Sequence, residues 1–161
     1  MYKIALDTNI LVDYLMGREP TCSDCKQLLL MHASCQHAVY AASISLKDAY
    51  YLVAMQLKRM ERQASGALSA TMARAANEVA WACIRSLIEN VLVLPVGRAE
   101  SIQAFTYKPL HNDFEDNLVV AAALSANVDF LVTNDEALLR HAPIACLSSN
   151  DMLALLKEER A

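Results

Sequence analysis

The chain has 161 residues, 55% of them hydrophobic, with three glycines and four prolines; this length supports one domain with its own core, and this composition excludes disorder and fibrous repeats. Eighteen acids against fourteen bases leave a net charge of −4, which excludes coating of nucleic acid through a broad basic face but not a nuclease whose divalent cations meet the phosphate. No stretch reaches transmembrane length, no basic segment with an apolar core follows Met1, and the five cysteines lack framework spacing, so a cytoplasmic protein without membrane contact is expected.

Apolar Lys3 to Leu6 followed by Ile10, Leu11, Tyr14 and Leu15 at helical spacing reads as a strand, a sharp turn at Asp7 and a helix from Asn9 to Leu15. Met16 to Pro20 is a turn, Thr21 to Ala33 a helix, and Val39 to Ile44 a second strand. Ser45-Leu46-Lys47-Asp48 fits a capping box opening a helix that carries Leu46, Ala49, Tyr50, Val53 and Leu57 on one face. Glu61 to Ser69, with Gly66 inside it, reads as a linker, Ala70 to Glu89 as a long helix, and Val91 to Val96 as a third strand. A short helix (98–105) and a polar loop precede a strong helix from Asp113 to Ala126, which Asn127 stops. Phe130 to Thr133 is a fourth strand and Glu136 to Arg140 a short helix. Ile144 to Leu147 reads as an edge strand and Asp151 to Glu159 as a last helix.

Strands alternating with helices specify a parallel sheet with helices on both faces, a single α/β domain over residues 1–161. In such a sheet the last residue of each strand and the first turn of the next helix share one rim, where ligands bind. Asp7, Asp48, the group Asp113, Glu115 and Asp116, and Asp135 all map to that rim. Each has a plain structural use: Asp7 caps the first helix, Asp48 completes the capping box, Asp113 and Asp135 start helices. Collected without nearby cations they would repel, and hard ions such as Mg²⁺ or Mn²⁺, which favour oxygen ligands, would neutralise them. Arg18, Lys47, Arg98 and Lys108 lie near the rim as phosphate contacts or solvated charges. Cys22, Cys25, His32, Cys35 and His37 invite a zinc reading that lacks a second compact ligand pair.

The segments LDTNILVDYL, SLKDAYYLV, DFEDNLVVAAAL and FLVTNDEALL, in this order, resemble those of the PIN-domain nucleases, and the resemblance spans Lys3 to Leu139. It implies a PIN-like α/β/α sandwich with Asp7, Asp48, Asp116 and Asp135 as catalytic, metal-binding acids, and Asn9, Thr133 and Asp113 as supports. The second acid is usually glutamate in this family; Asp48 is one methylene shorter. The resemblance further implies an Mg²⁺- or Mn²⁺-dependent endoribonuclease acting on RNA and, by likeness to VapC-like toxin ribonucleases, a homodimer restrained by an antitoxin protein. The alternative is a non-catalytic PIN-like module that binds RNA or protein.

Overall fold

A computed structural model describes residues 1–159; the last two residues of the domain expected over 1–161 lie outside them. The elements are β1 (Lys3–Leu6), α1 (Thr8–Leu15), α2 (Thr21–Ala33), β2 (Ala38–Ala42), α3 (Ser43–Ser65), α4 (Ala70–Asn90), β3 (Leu92–Leu94), α5 (Arg98–Thr106), α6 (Phe114–Ser125), β4 (Phe130–Val132), α7 (Glu136–His141), β5 (Cys146–Leu147) and α8 (Ser149–Glu158). The five strands are all parallel in the order β3-β2-β1-β4-β5. This is the α/β/α sandwich expected from the strand and helix alternation.

β1 lies at the centre, so both of its faces are covered, and successive side chains serve opposite layers. Ile4 and Leu6 pack with Ile10, Leu28, Val39, Leu87 and Met152 on one face. Ala5 packs with Val119, Val120, Ala123 and Leu131 on the other. The small side chain on that second face lets α6, itself rich in alanine, lie close to the sheet. The connection runs outward from β1 through β2 to β3 and then returns to β4 on the opposite side of β1. The topological switch point therefore falls between β1 and β4, where open sheets of this kind leave a crevice at their carboxyl edge. Register carries Leu6 opposite Val132, so Asp7 and Thr133 emerge side by side at that crevice.

Two boundaries differ from the sequence reading in ways that matter for the site. α3 begins at Ser43 with Ala42 as an N-cap that makes no side-chain bond, so no capping box exists at Ser45. Ser45 is instead fully buried inside the first turn and receives the Thr8 hydroxyl at 3.0 Å. The same helix runs through most of the expected linker to Ser65, where Gly66, with φ +76°, supplies its left-handed stop. Glu61 to Ala64 favour helix, and Val53 and Ala54 pack against Ala80 of α4, which keeps α3 and α4 together as a long hairpin. Asn127, expected to stop α6, has φ +52°. Among the described residues no helix is long and apolar enough to cross a membrane.

Candidate active site

Asp7 leaves β1 1% exposed. Its Oδ1 accepts the Thr8 amide at 2.7 Å, the cap bond of α1, while Oδ2 accepts the Thr133 hydroxyl at 2.7 Å and the Asn9 amide at 2.8 Å. Asn9 also reaches Thr133 Oγ1 at 3.1 Å and accepts the Asn134 backbone amide at 3.1 Å, while Thr133 Oγ1 accepts the Asp135 amide at 3.0 Å. The capping reading of Asp7 thus accounts for one oxygen only; the other anchors a network that joins β1, α1 and the end of β4. Asn9 and Thr133, expected as supports, are both bonded to Asp7 in this network. Burial pushes the Asp7 carboxyl from its ordinary 3.8 up to about 6, against the bonds from Thr133 and Thr8 and with help from the charges on Asp116 and Asp135.

Asp7, Asp48, Asp116 and Asp135 line one open cavity of about 450 Å³. Asp135 caps α7 through Oδ1 alone, at 2.7 Å and 3.0 Å from the Ala137 and Leu138 amides. Asp48 lies in the second turn of α3 and caps nothing. It is 9% exposed, and its Oδ2 is buried with no hydrogen-bond partner. Such an orphaned carboxylate oxygen is costly unless a cation or donor meets it.

Asp113, expected as a support, is the N-cap of α6, which begins at Phe114. Its Oδ1 accepts the Glu115 and Asp116 amides at 2.9 Å and 3.4 Å, and it does not line the cavity, whereas Glu115 does.

The expected shortage of cations is corrected more sharply. The Lys47 ammonium, on a side chain 53% exposed, sits 2.5 Å from Asp48 Oδ1 and 3.9 Å from Glu115. His111 Nε2 lies 2.8 Å from Asp116 Oδ2. Burial raises the Asp116 carboxyl, and the His111 bond opposes it. Arg18, at the cavity mouth, pairs with Asp13 at 3.0 Å. Arg98 and Lys108 are not part of the lining. With Asp48 and Asp116 turned to these partners, no three of His, Cys, Asp or Glu among the described residues converge on one ion position. The donor chemistry nevertheless fits Mg²⁺ or Mn²⁺: the donors are oxygens from four elements, and Asp48 Oδ2 has no other partner. Elsewhere, Cys22 and Cys25 are buried beneath α1, and burial pushes the Cys25 thiol up to about 12, opposite to the thiolate that zinc requires.

Residues 3–137 match the family model of the PIN domain. Among solved structures, VapBC2 from Rickettsia felis bound to a DNA fragment from their promoter aligns with a TM-score of 0.61 at 15% identity, over 90% of this chain and 97% of that one. VapBC-1 from nontypeable Haemophilus influenzae aligns with a TM-score of 0.56 at 18% identity, over 91% and 98%. At these identities the likeness is one of fold. No curated protein matches the chain.

Proposed function

This chain belongs to the PIN-domain family, and from that premise we propose that it is an endoribonuclease dependent on Mg²⁺ or Mn²⁺, held by Asp7, Asp48, Asp116 and Asp135. The observation that carries the reading is the shared cavity, into which four elements bring carboxylates and in which Asp48 is buried with one oxygen unpartnered. An ion held by these four carboxylates would supply activation of a water for attack on the phosphodiester and charge compensation at the leaving oxygen. Asp7 is fixed in orientation by Thr133, Asn9 and the Thr8 amide. Asp135 is fixed by its two cap bonds, so neither carboxylate requires reorganisation to present an oxygen. Arg18 stands at the mouth, where it is placed for a backbone phosphate.

RNA as substrate, a homodimer and an antitoxin partner rest on the resemblance to toxin PIN domains and on the shared fold of the VapBC structures. The other reading, a binding module without catalysis, is favoured by the Lys47 ion pair on an acid already one methylene short. One experiment separates them: incubation of the purified protein with structured RNA in Mn²⁺ or EDTA, beside Asp7→Asn and Asp135→Asn. Cleavage in Mn²⁺ alone, lost in Asp7→Asn, is the expected result. Asparagine caps helices as well as aspartate does, so Asp135→Asn should fold normally and cleave poorly. Activity surviving in both variants refutes the site.

A further inference from the structure

The cavity has a second wall that the acids do not explain. Along α3, Asp48 is followed at positions three, four and seven by Tyr51, Leu52 and Met55, with Gln56 beside them, and all line the same cavity as Asp7 and Asp116. Val12 of α1 closes its floor. Tyr51 and Met55 are 63% and 59% exposed, although their helix has a buried face of its own through Leu46, Ala49 and Val53. The Tyr51 ring is held edge-on by Tyr50, with centroids 5.2 Å apart, and Tyr50 in turn packs on Trp81 of α4 at 5.2 Å. An exposed aromatic is thus fixed in place at the margin of an acidic site.

We propose that this strip, Tyr51 with Leu52, Met55 and Gln56, is the seat of a nucleobase next to the phosphate at the acid rim, so that the enzyme grips single-stranded RNA by the nucleotide whose own phosphate lies at the bond it cuts. The inference rests on the nuclease reading and deepens it. Its geometry is that of a nucleotide. A helix rises about 1.5 Å per residue, which puts Tyr51 and Leu52 roughly 5 Å and Met55 about 10 Å along the axis from Asp48, the distances at which a base lies from its own phosphate. A cavity of about 450 Å³ falls within the range that small ligands occupy. The aromatic face of Tyr51 accepts any base by stacking, Leu52 and Met55 add apolar contact, and the Gln56 amide offers both a donor and an acceptor to a base edge. Neutral side chains suit this part of the ligand, since its charge resides on the phosphate.

The test uses the full chain with Ca²⁺ in place of Mn²⁺, and compares by fluorescence anisotropy a labelled oligouridylate with an abasic ribose-phosphate oligomer of equal length. Binding of the oligouridylate should be about ten- to a hundredfold tighter. Tyr51→Ala should erase that preference while leaving the abasic oligomer unaffected, and Tyr51→Phe should retain it. In cleavage assays the same alanine variant should raise KM and spare the Mn²⁺ dependence. Equal affinity for both oligomers, or a preference untouched by Tyr51→Ala, overturns the base seat and leaves the nuclease reading standing. No binding of either oligomer removes both. Normal RNA binding by Tyr51→Ala, together with loss of a copurifying protein, overturns the proposal by assigning the strip to a protein partner.

Discussion

Asp7 should make the metal-free protein less stable as the pH rises, and Asp7→Asn should remove that loss. In the fold its carboxyl stands at about 6 against an ordinary 3.8, so the unfolded chain ionises first. The sign is therefore that of a raised group: its contribution is complete below about pH 4 and is lost as the pH passes through about 6. Holding the ionised group in its buried place costs about 3 kcal/mol at pH 7. The substitution carries a fixed cost of its own, because the Asp7 oxygen that receives both Thr133 and Asn9 would become an amide nitrogen facing donors. That cost does not depend on pH, so the quantity to measure is the change with pH in the difference between variant and wild type. Urea unfolding in EDTA at steps from pH 4 to 7.5 should show the variant gaining up to about 3 kcal/mol on the wild type. In Mn²⁺ the gain should shrink or reverse, because the ion favours ionised Asp7. Parallel profiles in EDTA would refute the reasoning by showing that Asp7 titrates as if in water.

Asp48→Ala should leave stability in EDTA unchanged or raised, since it removes an orphaned buried oxygen and no cap, while Mn²⁺ affinity by calorimetry falls at least tenfold; Asp48→Glu should keep part of it. A loss of more than about 1 kcal/mol with metal affinity intact would return Asp48 to a structural role. Lys47→Gln should tighten Mn²⁺ binding severalfold, because the ammonium competes for the same carboxylate, and should destabilise the metal-free fold, because it leaves the largely buried Asp48 without its cation; unchanged or weaker binding would remove Lys47 from the rim.

Much of the scaffold is legible along the chain because it depends on local periodicity. The apolar run ending in Asp7, the switch to helical spacing after it and the stop at Asn127 each have a short-range physical cause. Alternation therefore yields a rim of acids at the carboxyl edge, while the choice of Asp116 among Asp113, Glu115 and Asp116 rests on the resemblance to the PIN family; Asp7, Asp48, Asp116 and Asp135 line one cavity. Helix starts are less legible. Asp113 and Asp135 are both caps, yet only Asp135 lines the cavity, because direction at an N-cap depends on which residue begins the helix. Ser45 read as a cap because its spacing to Asp48 suits one; tertiary contact with Thr8 places it inside the turn instead. Glu115 is legible only as one of three acids at the start of α6, and His111 carries no signal at all, since a histidine five residues ahead of an acid has no period that joins them across a loop.

The contacts of each acid explain why an acidic rim can persist in the folded chain without an ion. Four carboxylates from four elements would repel most strongly where they are least solvated, and the chain meets each by a different means. Asp7 is held by hydrogen bonds and sits at a raised pKa. Asp135 faces the amides of α7, Asp116 faces His111, and Asp48 faces Lys47. Two of these compensations are hydrogen bonds, from backbone amides to Asp135 and from the Thr8 amide and the Thr133 and Asn9 side chains to Asp7, and two are contacts with the Lys47 and His111 side chains. The division determines how an ion would enter: Asp7 and Asp135 offer oxygens already in position, whereas Asp48 must give up the Lys47 ammonium and Asp116 its bond with His111. Metal binding at this site would therefore be a competition with Lys47 and His111 as well as a relief of repulsion. The stabilisation by Mn²⁺ should accordingly be smaller than that of a bare acid cluster.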